Sequence, residues 1–319
     1  MPIDAGQFVV LGVHRSGTSV LTETVVRLGL HAGGPEDFDT GDRWNEQGYW
    51  EHRGVRSINE ELLELFSADW RAVPAFDPGA LPGEARLRLE RRARELVARL
   101  DEHGPWIVKD PRLCVLLPFW LPLLTRPAFL ISLRNPLAVA RSLRARDGFP
   151  LPLGLALWET QLLSALASTR GLPRVAFWYE NLVASPRREA SRLARWLRSL
   201  GALDPRAPVP SPAADPRLRH HDADSAEERQ LLPDSARRLL SALRKGTALR
   251  DDFDPTPSRE AREVVEFLAQ ESRTRRFLED GWKGQRAAHG EAVRLLEEMI
   301  RTKDDYIGVL HRRLGEPTA

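Results

Sequence analysis

Residues 12–19 read Gly-Val-His-Arg-Ser-Gly-Thr-Ser, directly after the apolar run FVVLGV at 8–13 and before an amphipathic stretch at about 19–30. An apolar run this short predicts a strand buried on both faces. The loop has the G-x4-G-x-[ST] spacing of a phosphate-cradling turn between strand and helix. Backbone N–H groups of such a turn, added to the positive end of the helix, hold an anion without a charged surface. The lysine of the ATP-binding version is missing, because Thr18 stands in its place, and Arg15 is the only permanent cation of the loop. The apolar run at 129–133 ends in Ser-Leu-Arg and offers no acid to hold Mg²⁺. The loop therefore suits a phosphate handled without lysine or metal. The plain alternative is a glycine turn that holds nothing.

Three more short strands are expected, WIVK at 106–109, FLISL at 129–133 and RVAFWY at 174–179. Between them lie helical patterns at about 57–66 and 83–100. Asp110-Pro111, Asn135-Pro136 and Ser185-Pro186 each read as a capping side chain before a proline at the first helical position. Strands alternating with helices imply an α/β chain, a P-loop-type three-layer fold with a mostly parallel central sheet. The strand C-termini then converge on the edge where ligands of such sheets bind. The expected organisation is an α/β nucleotide-binding core over 1–201 and a Pro-rich linker or loop over 202–224. A helical part completing the domain follows over 225–284, then a C-terminal helix over 285–319. In that last segment Val293, Leu296, Ile300, Ile307, Leu310 and Leu314 follow spacings of three and four, a coiled-coil seam with Lys303 in the remaining slot.

Composition excludes several classes of function. The 47 basic side chains stand against 45 acidic ones, a net charge of +2, which argues against bulk nucleic-acid binding. Any anion must be gripped locally. A single cysteine, Cys114, excludes an internal disulfide framework and fits a reducing cytoplasm. The start of the chain lacks the pattern of a secretion signal. The most apolar stretch, at 113–124, is too short for a bilayer and carries Pro118 and Pro122, so no membrane span is expected. Only Lys109, Lys245, Lys283 and Lys303 are lysine, an arginine bias that points to a GC-rich bacterial genome.

Over about 7–200 the chain resembles the sulfotransferases that use 3′-phosphoadenosine 5′-phosphosulfate (PAPS), above all the bacterial and Golgi-type members with an R-S-G-T-[ST] loop, here Arg15–Ser19. The resemblance implies that His14, Arg15, Ser16, Gly17, Thr18 and Ser19 cradle the donor's 5′-phosphosulfate. It implies that Arg134 and Ser142, in RNPLAVARS, bind its 3′-phosphate, with Arg141 a lesser helper. Bidentate arginine suits that task. It also implies that Lys109, in the K-D-P segment, contacts the transferring sulfuryl group. A compact ammonium there can follow charge onto the leaving oxygen.

Sulfuryl transfer further needs a base for the acceptor's proton. The resemblance implies Glu36 first, 21 residues after Arg15 and close to the base of Golgi-type members, then Glu51 in GYWEH, a run similar to one in bacterial members. His52 or His14 are further candidates, because cytosolic members use a histidine. The co-substrate implied is PAPS, with PAP (the desulfated nucleotide) as product and no metal. Trp44, Tyr49 and Trp50 would give the hydroxyl acceptor, a sugar or an aromatic compound, aromatic faces; pinning the loop to the core explains them equally. Trp158, Trp178 and Tyr179 read as core. Arg244-Lys-Gly246 matches the start of an R-K-G-x-x-G segment of cytosolic members, but Leu249 replaces its second glycine. The rival readings are a P-loop kinase or NTPase, and a non-catalytic scaffold working through the C-terminal helix, which in either case offers a route to a homo-oligomer.

Overall fold

The computed structural model describes residues 5–38, 50–71, 73, 76–206, 208–209, 231–274 and 276–278, with residues 294, 297–298 and 301 beyond. The four strands are β1 (Gln7–Leu11), β2 (Trp106–Lys109), β3 (Pro127–Leu133) and β4 (Arg174–Trp178). All pairings are parallel and the order is β2-β1-β3-β4. Val9 lies opposite Val108 on one side and Phe129 on the other.

Strand side chains alternate between faces, and the alternation sorts the helices into two layers. Phe8, Val10, Ala128 and Leu130 pack with Leu21, Val25, Leu193 and Leu197. These come from α1 (Thr18–Arg27) and α8 (Pro186–Ser199). Val9, Leu11, Val108 and Phe129 face the opposite way, onto α2 (Arg53–Leu65), α3 (Gly83–Asp101) and α4 (Leu113–Trp120). Further along that face Ile131 and Leu133 meet α5 (Pro136–Asp147), α6 (Leu151–Ser168) and α9 (Asp234–Arg244). The result is a three-layer α/β fold. The short α7 (Tyr179–Ala184) leads from β4 towards α8.

Of the three expected Pro caps only one forms. Asn135 accepts from the N–H groups of Leu137 and Ala138 at the start of α5. Asp110 turns instead to the N–H of Arg112, and α4 begins at Leu113 with no side-chain cap. Ser185 stands between α7 and α8 and makes no side-chain cap. Arg244-Lys-Gly246 closes α9: Gly246 takes φ 73, the left-handed conformation of a helix terminator, and Leu249 packs into the core.

The chain divides into one compact unit over 1–269 and a second over 270–319. Residues 259–274 are helical. The expected seam at 293–314, most of the Pro-rich segment, Trp44 and Tyr49 lie outside the described residues. No helix among the described residues is long and apolar enough to cross a membrane.

Candidate functional site

The strand order places β2 on one side of β1 and β3 on the other, so the connections leaving β1 and β2 run in opposite directions. The crevice beyond the C-terminal ends of β1 and β3 is the topological switch point, the binding place of open parallel sheets. The 12–17 loop leaves β1 there, and Arg134 leaves β3 beside it.

Close packing fixes the loop's path. A Cβ on Gly12 would come within 2.7 Å of Ser16 Oγ and 2.9 Å of the Ser132 carbonyl. Gly17 sits at φ 88, where a Cβ would also run into the Tyr179 ring. Both glycines are therefore required by the turn. Arg15 takes φ 69, a left-handed conformation that L-residues with side chains adopt only under constraint. The constraint is visible. Arg134 donates to the Arg15 carbonyl at 2.9 Å, and Ser132 Oγ donates to the Ser16 carbonyl at 2.9 Å. Gly17 is the N-cap of α1 and brings no capping side chain. First-turn N–H groups of a helix have no carbonyl partner within that helix and point to where an anion can bind.

The buried Arg134 guanidinium lies 4.6 Å from the centre of the Tyr179 ring. Arg15 Nε donates to Ser142 Oγ at 2.9 Å, across 127 positions of sequence. Arg15, Arg134, Ser142 and the loop backbone thus form one cluster. Sequence reasoning assigns Tyr179 to the core; the structure adds it to this cluster. The signal was its position at the end of the fourth strand, on the same sheet edge as the others. Glu180 accepts from the Asn135 N–H at 2.9 Å, tying α7 to the start of α5.

Lys109 forms the second cluster. Its side chain is 1% exposed and its Nζ donates to Glu51 Oε1 at 3.0 Å. The other Glu51 oxygen stands 3.5 Å from Arg112. Burial works against the charge of Arg112, but Asp110 and Glu51 outweigh it and raise its pKa. Asp110 is consumed by structure, accepting from Asn59 at 3.1 Å and from Arg112. Trp50, next to Glu51, is held at φ 53 and packs edge-on against Phe38.

The remaining base candidates stand apart. Glu36 lies exposed on a 3-10 turn (Pro35–Asp37), and among the described residues its carboxylate meets neither Lys109 nor the loop. Its carbonyl accepts from Arg53 at 2.9 Å. His52 caps α2 through Nδ1, which accepts from Gly54 N–H at 3.1 Å, and its Nε2 is 3.7 Å from Asp37. Burial lowers its pKa despite Asp37. His14 turns its ring onto Trp70, with centroids 4.2 Å apart. Burial, reinforced by Arg146, Arg112, Lys109 and Arg15, lowers its pKa well below 6.5. Cys114 accepts from the Gly12 N–H at 3.2 Å, and burial pushes its thiol up to about 12, so it is a packing residue and no nucleophile.

No protein-family model and no curated protein matches the chain. Among solved structures it is similar to the sulfotransferase domain of the Synechococcus olefin synthase, with 17% identity over 83% of this chain and 95% of that one, at a TM-score of 0.38. The sulfotransferase domain from the curacin biosynthetic pathway gives 14% identity over 83% and 98%, at 0.41. A sulfotransferase from Mycobacterium tuberculosis gives 14% over 84% and 76%, at 0.34. At such identities and scores these similarities carry no weight in assigning chemistry. That rests on the residues themselves.

Proposed function

We propose that the chain is a sulfotransferase that moves a sulfuryl group from PAPS to a hydroxyl acceptor and releases PAP. The observation that carries this is the pairing of a lysine-free anion loop, braced by Arg134, with a buried lysine at the neighbouring strand end that already holds a carboxylate.

The 12–17 loop and the first turn of α1 receive the 5′-phosphosulfate. Arg134 and Ser142 bind the 3′-phosphate, with Arg15 shared between the two ends of the nucleotide. Glu51 takes the acceptor's proton as its oxygen bonds to sulfur. The bond from sulfur to the phosphate oxygen breaks, and the electron pair leaves on PAP. Lys109 faces that developing charge, where a fixed cation in a dry site is most effective. In the free chain Glu51 balances Lys109 and Arg112; the arriving sulfonate takes over part of that balance and leaves the carboxylate able to accept a proton. The residues do this work without a metal.

The test is donor binding followed by turnover. PAP should bind without Mg²⁺, and radiolabelled PAPS offered with a panel of hydroxyl compounds should yield a labelled ester. Tight binding of Mg·ATP with no binding of PAP would overturn the assignment.

A further inference from the structure

Behind the pair of Lys109 and Glu51 a row of polar side chains runs back into the core. Asn59 on α2 and Asp110 after β2 are both 0% exposed. Trp120 Nε1, at the end of α4, donates to Asn59 Oδ1 at 2.8 Å. An indole N–H can only donate, so the Asn59 amide must offer it oxygen and turn its NH2 the other way. That NH2 donates to Asp110 Oδ2 at 3.1 Å. Asp110 in turn accepts from Arg112 Nη1 with both oxygens, each at 3.0 Å, and from the Arg112 N–H at 2.9 Å. Arg112 Nη2 donates to Glu60 at 3.1 Å. Buried charges of this kind can often be replaced by apolar side chains without loss of stability, so the row calls for another reason.

The two oxygens of Glu51 are held differently. Lys109 Nζ donates to Oε1 at 3.0 Å. Arg112 Nη1 stops 3.5 Å from Oε2, beyond the range of about 2.7–3.2 Å in which an N–H···O bond forms. The same nitrogen is 3.0 Å from Asp110. Arg112 therefore offers Glu51 its charge while its hydrogen bonds go to Asp110 and Glu60. Among the described residues the charged groups that meet Glu51 are Lys109 from β2 and Arg112 from the turn after it, with Asp110 and Glu60 behind Arg112. His52, the next residue, turns its ring away to Gly54 and Asp37.

Resting on the sulfotransferase assignment, we infer that Asn59 and Asp110 are positioning residues that hold the Arg112 guanidinium back from Glu51, so that Oε2 stays open to the proton of the acceptor's hydroxyl. Released from Asp110, the guanidinium would close on Glu51, occupy Oε2 and weaken it as a base. Removed altogether, it would leave Glu51 with one cation fewer and more ready to bind a proton. The row thus fails in two opposite directions, which a mere staple between α2, α4 and β2 does not. Water is the smallest hydroxyl compound: Glu51 takes its proton, its oxygen bonds to sulfur, and the electron pair of the broken bond leaves on PAP. Sulfate release from PAPS in buffer therefore reads the base without the natural acceptor.

The experiment follows kcat for PAPS hydrolysis against pH, where the acidic limb reports the base of the enzyme–substrate complex. Calorimetric PAP binding checks that each variant is folded. Glu51→Gln should abolish the limb. Arg112→Gln should move it up by about one pH unit, the effect of losing one nearby opposite charge. Asp110→Asn should move it down by about half a unit or more and lower kcat on its plateau several-fold. Asn59→Leu, close in size, should move it the same way by less, and stands in for Asp110→Asn if that variant does not fold. PAP affinity should stay within about twofold throughout. A limb that stays in place while only the melting temperature falls would make the row a staple and overturn the inference. Shifts of the same sign for Arg112→Gln and Asp110→Asn overturn it as well, as does a limb that survives in Glu51→Gln. A wild-type chain that binds PAP yet releases no sulfate overturns the inference alone, since Glu51 then activates no water. One that does neither overturns the sulfotransferase assignment itself.

Discussion

In the proposed function, two cations with different surroundings divide the chemistry at the level of single residues. Arg134 is aimed at the loop backbone and at an aromatic ring, a setting for recognition of a fixed anion. Lys109 has a carboxylate for a partner and almost no exposure, a setting for responding to charge that moves. Arg134→Ala should accordingly weaken PAP binding by ~10- to 100-fold, the loss of a charge-assisted contact, measurable by calorimetry. Lys109→Ala should lower turnover by about 100-fold or more with a smaller effect on PAP affinity, which steady-state kinetics separates. Equal losses in both quantities for both variants would contradict the division of roles. Glu51→Gln should lower turnover by ~100-fold, while Glu36→Gln stays near wild type. Glu51→Gln also leaves Lys109 buried without its counter-charge, so its melting temperature should fall; removing one partner of a buried pair costs about 3 kcal/mol.

The elements position these residues through contacts that differ in how far they reach along the chain. Short-range signals are legible in the sequence: the four strands emerge within about two residues of their ends, because apolar runs bounded by turn residues say both where a strand is and that it is covered on both faces. The Gly-x4-Gly-x-Ser spacing and the cap at Asn135 are local too. Contacts across distant positions are not. Nothing in the residues near Glu51 tells that it, and not Glu36, meets Lys109, since the pair spans 58 positions. Nor does the sequence show that Arg15 reaches Ser142. The helix α6 is obscured for another reason: Leu155, Leu157, Trp158 and Leu162 are all buried, so it lacks the polar face that reveals an amphipathic helix. Asp110 misleads because Arg112 and Asn59 compete for its carboxylate and win over the helix N-terminus. At this scale Gly17→Ala is the informative variant. With φ at 88 and the Tyr179 ring in the way, an added methyl must move the turn, so PAP binding should be lost while the far-UV spectrum of the remaining elements persists.

For the molecule as a whole, the site residues all fall within the unit over 1–269. Deleting residues 285–319 should therefore leave PAP binding unchanged, and any change in solution mass would assign that segment to assembly. Acid should destabilise the fold through its histidines. His14 and His52 have pKa values lowered from 6.5 by burial, so as pH falls below that value the unfolded chain takes up protons before the folded chain does. The contribution is fully present above 6.5 and is lost towards the folded-state pKa, at no more than about 1.4 kcal/mol per pH unit for each histidine. Melting curves from neutral pH downwards should show a shallower loss for His14→Asn than for wild type.

All of these expectations depend on a nucleotide held between Arg134 and the 12–17 loop. The direct check is the thermal stability of the full chain with PAP in EDTA, beside the Arg134→Ala variant under the same conditions. At 100 times its dissociation constant PAP should stabilise the wild type by about 2.7 kcal/mol and the variant far less. An unmoved wild-type transition, or equal shifts in both proteins, would contradict the assignment of this site.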